Sequence, residues 1–158
     1  MNIYSYALSK KEGTSSFNYV KNAPAYSGIK KRKYDTEHPE IEEIKVELKR
    51  LDDIIPRDSE IDLIKIDVEG GEYDVLHGAK ELIQESKPLL IFEYGLGASD
   101  YYGIKPDVMY SLVVNELDYN LSMLNGFLKN QPALSLKQFE ECYYKNSEYY
   151  FVAYSNLS

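Results

Sequence analysis

The spacing of apolar residues changes several times along the chain, and each change predicts an element. Residues 2–8 read as a strand closed by the polar turn Ser9-Lys10-Lys11-Glu12-Gly13, and residues 14–20 carry a second β-prone run, so the chain opens like a hairpin. Residues 21–38 are polar, hold Pro24 and Gly28, and show no apolar period, which predicts a loop. Residues 45–49 alternate through Val46 and Leu48 and run into Leu51-Asp52-Asp53-Ile54-Ile55, a short strand and a helical turn stopped by Pro56.

The run containing Ile61, Leu63, Ile64, Ile66 and Val68 is too apolar for a half-exposed strand and predicts a buried parallel one. After Gly70 and Gly71, the residues Val75, Leu76, Ala79, Leu82 and Ile83 recur at helical spacing. Glu72, Asp74, Lys80, Glu81 and Glu85 fall on the opposite, polar face, and Lys87-Pro88 ends the helix. Leu89-Leu90-Ile91-Phe92 is a second apolar strand and stops at Glu93, so strand, helix and strand follow one another as a right-handed βαβ crossover requires.

Pro106 suits the first turn of a helix whose buried stripe is Val108, Met109, Leu112, Val113 and Leu117. Residues 120–124 predict a strand stopped by Asn125-Gly126, residues 136–144 a weak helix, and residues 149–154 a strand that pairs antiparallel with the preceding one. No repeat and no linker divides the chain. The expected fold is one α/β domain over residues 1–158, a three-layer sandwich with a mostly parallel sheet and an antiparallel C-terminal strand.

Composition narrows the partners. A formal charge of -8 opposes broad attraction to nucleic acid or to anionic membrane, so neither is expected as a partner. The single cysteine, Cys142, rules out an intrachain disulfide and a cysteine-built zinc site, and His38 and His77 do not form a pair at ligand spacing, so no metal site built on cysteine or histidine is expected and no metal ligand is assigned. With no leader-like opening and no apolar run long enough to span a bilayer, a cytoplasmic location is expected. Sixteen tyrosines without a tryptophan fit either a carbohydrate-binding surface or ordinary strand packing. The basic cluster Lys30-Lys31-Arg32-Lys33 reads as a solvated loop.

Candidate chemistry sits at the carboxyl ends of the two apolar strands, where open α/β sheets bind ligands. The first ends in Asp67-Val68-Glu69-Gly70-Gly71, with Asp67 and Glu69 placed on one side by strand alternation; the second ends in Glu93. Carboxylates grouped there suit a cationic sulfonium, a divalent metal, or deprotonation of a hydroxyl. No phosphate-loop or dinucleotide fingerprint occurs, and no nucleophile has a base beside it in sequence.

Leu51-Asp52-Asp53, then Ile61-Asp62-Leu63-Ile64-Lys65-Ile66-Asp67-Val68-Glu69-Gly70, then Glu72, Val75, Leu76 and Gly78-Ala79, resemble the signature of FkbM methyltransferases. Lys87-Pro88 before a strand ending in Glu93, and the opening Tyr6-Ala7-Leu8-Ser9 with Gly13 and Phe17, are similar to the same family in the same order. The resemblance implies a truncated, Rossmann-like class I methyltransferase that uses S-adenosylmethionine to methylate a hydroxyl of a sugar, glycan or other natural product. By it, Asp67, Glu69 and Glu93 are the catalytic candidates, and Leu8, Ser9 and Asp67 the cofactor-binding ones. Alignment of oxygen, methyl and sulfur would supply much of the rate, and a carboxylate would take the proton.

Members of that family begin with a strand, a glycine-rich loop and a second, acid-tipped strand, which have no counterpart here. Cofactor affinity is therefore expected to be weak or lost, and residues 61–68 to keep an open sheet edge that invites self-association. Two other readings stay open: a non-catalytic binding module derived from the fold, and a small metal-using enzyme.

Overall fold

A computed structural model describes residues 2–34 and 37–155. The chain forms a mixed α/β fold with two sheets, one of three strands in the order β1-β3-β2 and one of four in the order β4-β5-β7-β6.

In the smaller sheet, β1 (Tyr6–Leu8) lies parallel to β3 (Ile41–Lys49), while β2 (Gly13–Val20) runs antiparallel along the other side of β3, from Gly13 opposite Leu48 to Val20 opposite Ile41. The hairpin expected at the opening is therefore not formed. The nine-residue β3 separates two consecutive strands because it offers both its edges, and Ser9 N–H continues the β1 ladder to Lys49 C=O at 2.9 Å. Only the second half of β3 was legible from sequence. Its first half, Ile41-Glu42-Glu43-Ile44, is a strand because β2 pairs along its whole length. Residues 21–40 are the connection between the two, with a short 3₁₀ turn at Pro24–Tyr26 and a bridge from Asn18 to Gly28.

The short helix α1 (Leu51–Ile54) leads to β4 (Leu63–Ile66), which is parallel to β5 (Leu89–Glu93), with the crossover made by α2 (Glu72–His77) and α3 (Lys80–Ser86). One helix was expected and two are found, broken at Gly78 and Ala79. A Cβ on Gly78 would lie 2.1 Å from Ser9 C=O, so the end of β1 presses into a notch that only glycine leaves. The Leu51-Asp52-Asp53 motif also has a structural use: the Asp52 carboxylate accepts Leu82 N–H at 3.0 Å and Glu81 N–H at 3.3 Å, satisfying first-turn donors of α3.

After α4 (Pro106–Tyr110), with Pro106 in its first turn, the helix widens to a π-type turn over Ser111–Glu116. Met109, Leu112, Val113 and Leu117 are buried as expected, but Val108 is exposed. β6 (Asn120–Met123) precedes α5 (Leu124–Leu128), so Asn125-Gly126 lies in a helix and not in a turn. α6 (Leu136–Lys145) opens with a capping box between Ser135 and Gln138, and β7 (Tyr150–Tyr154) runs antiparallel to both β6 and β5.

The sheets are mixed, which corrects the expectation of a mostly parallel one. β1–β3 and β4–β5 are parallel, and β2–β3, β5–β7 and β6–β7 are antiparallel, because β7 returns into the place beside β5. β4 is also less buried than its composition predicts: Leu63 is 52% exposed, whereas Phe92 opposite Ile66 in β5 is 1% exposed. The reason is position, since β4 ends the four-stranded sheet and pairs with β5 alone among the described residues. Phe92, Phe151, Phe139, Leu90 and Tyr94 form the centre of the core, with Phe139 and Phe151 rings 4.9 Å apart. Among the described residues, no helix is long and apolar enough to cross a membrane.

Candidate functional site

The site is built on the turn that ends β4. The strand stops at Ile66, so side-chain alternation does not extend to Glu69. Instead the backbone swings through left-handed geometry at Glu69 (φ 58°) and Gly70 (φ 107°). A side chain on Gly70 would meet Ala98 C=O at 2.5 Å, so glycine is required for conformation and for space. The same conformation on Glu69 costs roughly 1–2 kcal/mol, a strain that surrounding contacts must hold.

Two cavities meet at this turn. One, of about 330 Å³, is lined by Tyr26, Arg32, Glu69, Glu72, Glu93 and Asn146 among others. The second, of about 440 Å³, is an apolar cleft whose walls include Leu8, Phe17, Val46 and Val68, with Asp67 and Glu69 at its rim. Glu69 lines both.

The sequence-predicted residues divide between these places. Leu8 and Asp67 line the cleft, and Glu93 lines the first cavity. Asp67 is ion-paired with Lys65, and that carboxylate holds the Lys65 ammonium above its usual range. Glu93 lies opposite Tyr150 in the sheet and accepts its hydroxyl, which raises the Tyr150 phenol. Ser9 reaches neither cavity; it is buried with its carbonyl against Gly78.

Two residues of the site escaped the sequence reading. Arg32, read as part of a solvated basic loop, is the first. Its side chain is only 11% exposed; its Nη2 is 2.6 Å from Glu69 Oε2 and 3.3 Å from Ala25 C=O, and the guanidinium carbon lies 4.9 Å from the centre of the Tyr26 ring. The connection between β2 and β3 folds back over the strand ends and is tied down further by Lys33 N–H donating to Tyr101 Oη at 3.0 Å. No local pattern announces that fold-back, because the residues that receive Arg32 are far away in sequence.

The second is Glu72, placed on the helix's polar face by periodicity yet 1% exposed. Its Oε1 accepts Gly70 N–H at 3.0 Å and Val68 N–H at 3.3 Å, and its Oε2 has no partner among the described residues. The signal was an acid directly after a Gly-Gly turn at the first residue of a helix, where a side chain reaches back to preceding N–H groups.

Burial pushes the Glu69 carboxyl up, assisted by Asp67 and Glu93, and outweighs the lowering by Arg32. Burial likewise raises Glu72, against the lowering by its backbone donors. A carboxylate held above its ordinary range where two cavities meet is a better proton acceptor than an exposed one. No group of three histidine, cysteine or acidic side chains able to hold a metal ion occurs among the described residues.

The family model described as the methyltransferase FkbM domain matches residues 1–121. Among solved structures, a methyltransferase FkbM from Methylobacillus flagellatus KT is similar, with 22% sequence identity and a TM-score of 0.41, covering 70% of this chain and 24% of that one. The chain therefore spans about a quarter of that protein's length. No curated protein matches.

Proposed function

The chain belongs to the FkbM methyltransferase family, and on that premise we propose that it carries part of the active site of an S-adenosylmethionine-dependent O-methyltransferase acting on a hydroxyl of a sugar or natural product. The observation that carries this reading is the place of Glu69, a burial-raised carboxyl on the wall shared by an apolar cleft and a polar cavity. The cleft fits the cofactor in character. Leu8, Phe17 and Val46 offer apolar walls to an adenine ring, and Asp67 offers an anionic rim to a sulfonium. When bound, S-adenosylmethionine supplies an electrophilic methyl group.

The chain's own residues do the rest. Glu69 takes the proton of the acceptor hydroxyl; Arg32 occupies its Oε2 and leaves Oε1 for that bond. Glu93, Asn146 and Tyr26 surround the space in which the acceptor is held, and the loop carrying Arg32 limits water there. Alignment of the hydroxyl is their main contribution, since displacement at a methyl carbon gains chiefly from orientation. The acceptor is a small molecule or glycan, because the net charge of -8 disfavours nucleic acid and anionic membrane. Among the described residues β4 pairs with β5 alone, and its other edge also favours self-association.

The direct test is calorimetric titration of the 158-residue chain with S-adenosylmethionine and S-adenosylhomocysteine, repeated with Asp67→Ala. The reading expects weak binding that the substitution reduces at least about tenfold, or ~1.4 kcal/mol. A folded chain that binds neither compound would sink it as an autonomous enzyme. The second reading, a non-catalytic binding module, would then stand, and the Arg32–Glu69 pair already favours it by filling the acidic strand end from within.

A further inference from the structure

Glu72 is the one acidic residue among the described residues that is fully buried, and the reaction proposed above gives it no task. A carboxyl in such a place is expensive: one oxygen lacks a partner, and an apolar side chain of similar size would avoid that desolvation. Its contacts show what it contributes. Both N–H groups that its Oε1 accepts, those of Val68 and Gly70, flank Glu69 on either side. The residue between them is held at φ 58°, and Gly70 follows at φ 107°. Without the carboxyl, the two donors would lose their acceptor and the strained turn would lose the contact that spans it.

We propose that Glu72 is a positioning residue, whose Oε1 clamps the turn through Val68 and Gly70 in the left-handed form that sets Glu69 against Arg32 at the junction of the two cavities. Its catalytic consequence rests on the reading of Glu69 as proton acceptor, whereas the clamp itself is a property of the folded chain. A glutamine at this position keeps an oxygen for both N–H groups, and an alanine keeps none. Because both substitutions remove the same charge, any difference between them reports geometry. Groups that titrate or carry charge around the turn are Glu69, Asp67, Glu93 and Arg32, with the Tyr102 phenol, whose ring lies against Gly70, and the Tyr94 phenol facing Glu72 from other elements.

The test is NMR on the 158-residue chain, comparing wild type with Glu72→Gln and Glu72→Ala. The expected result is slow hydrogen exchange at Gly70 N–H in wild type and Glu72→Gln, exchange at least about tenfold faster in Glu72→Ala, and a Glu69 carboxyl titration that stays raised in the former pair and falls back in the latter. Identical behaviour of the two variants would overturn the clamp.

Should Glu72→Ala fail to fold, Glu69→Gln is compared with Glu69→Gln/Glu72→Gln. The Gly70 amide shift should follow a carboxyl titration step in the first that is missing from the second, and absence of that difference would also overturn the proposal. If the clamp holds and Glu69→Gln leaves methyl transfer intact, only the assignment of the base fails.

Discussion

The two sheets use similar residues to different ends. In β5 and β7 the apolar positions Leu90, Phe92, Phe151, Val152 and Ala153 are all fully buried. In the three-stranded sheet Tyr6, Tyr19, Ile41 and Ile44 stay exposed, and its buried apolar residues are Val20 and Leu48. A β-branched or aromatic residue stabilises a strand in proportion to what covers it, and far more of the larger sheet's apolar surface is covered. Stability should therefore reside in the four-stranded unit, while the turn at Glu69 lies on the seam where the outer sheet and its long connection meet it.

The sharpest way to break that comparison is to truncate one side chain in each unit. Phe139, whose ring stacks 5.4 Å from Tyr94 and meets Phe151 edge-on, is fully buried. Phe139→Ala should cost about 3–5 kcal/mol in urea denaturation. Ile44→Ala, at a position 39% exposed, should cost no more than roughly 1 kcal/mol. Equal costs would mean that the outer sheet shares the core.

That contrast also explains what sequence could and could not convey. Leu89-Leu90-Ile91-Phe92, the stop at Lys87-Pro88, and the terminal β7 were legible because each is an uninterrupted local pattern. The burial of β4 was not, since Leu-Ile-Lys-Ile reads the same whether a strand has neighbours on both sides or on one. At the site, Asp67, Glu69 and Glu93 were legible as acids at or just past strand ends, whereas the need for glycine at position 70 shows only in the fold. Arg32 was illegible because its partner lies thirty-seven positions on, and Glu72 was passed over because helical periodicity counts an acid as solvent-facing, although its place directly after Gly70-Gly71 is a local signal.

Next in size is the joint between the units. Gly78→Ala forces a methyl against Ser9 C=O at 2.1 Å, and backbone on one side cannot swing away as a side chain would. A destabilisation of about 1–3 kcal/mol is expected from such overpacking, with hydrogen exchange accelerated in β1 and at the end of α2 before it rises in β5 and β7. If β5 and β7 loosen equally, the units are not separable.

A smaller effect is expected from pH. Glu69 and Glu72 are both held above the ordinary carboxylate value of 4.5 by burial. Below that value they are protonated whether the chain is folded or not, and their preference for the protonated form costs nothing. As pH rises past 4.5 toward the raised folded values, the unfolded chain releases these protons first, so their contribution to stability is lost. Glu72→Gln, which cannot ionise, should flatten this part of the stability profile measured by urea denaturation at stepped pH. An unchanged slope would place the titration elsewhere.

The smallest expected change in fold stability separates the edge of the larger sheet from its interior. Leu63, on a strand with one neighbour and 52% exposed, contributes little to the core. Leu63→Lys should therefore stay within roughly ±0.5 kcal/mol of wild type. Its effect should appear in association instead, because an unpaired strand edge with an apolar side chain is a template for another chain, and an added lysine is a common way of blocking it. Sedimentation velocity over a concentration series should show wild type shifting toward larger species and Leu63→Lys remaining monomeric. If both remain monomeric, Lys65 and its Asp67 partner already protect that edge; if both associate alike, the contact lies on the exposed tyrosines and isoleucines of the outer sheet, and the division of labour between the sheets extends to recognition.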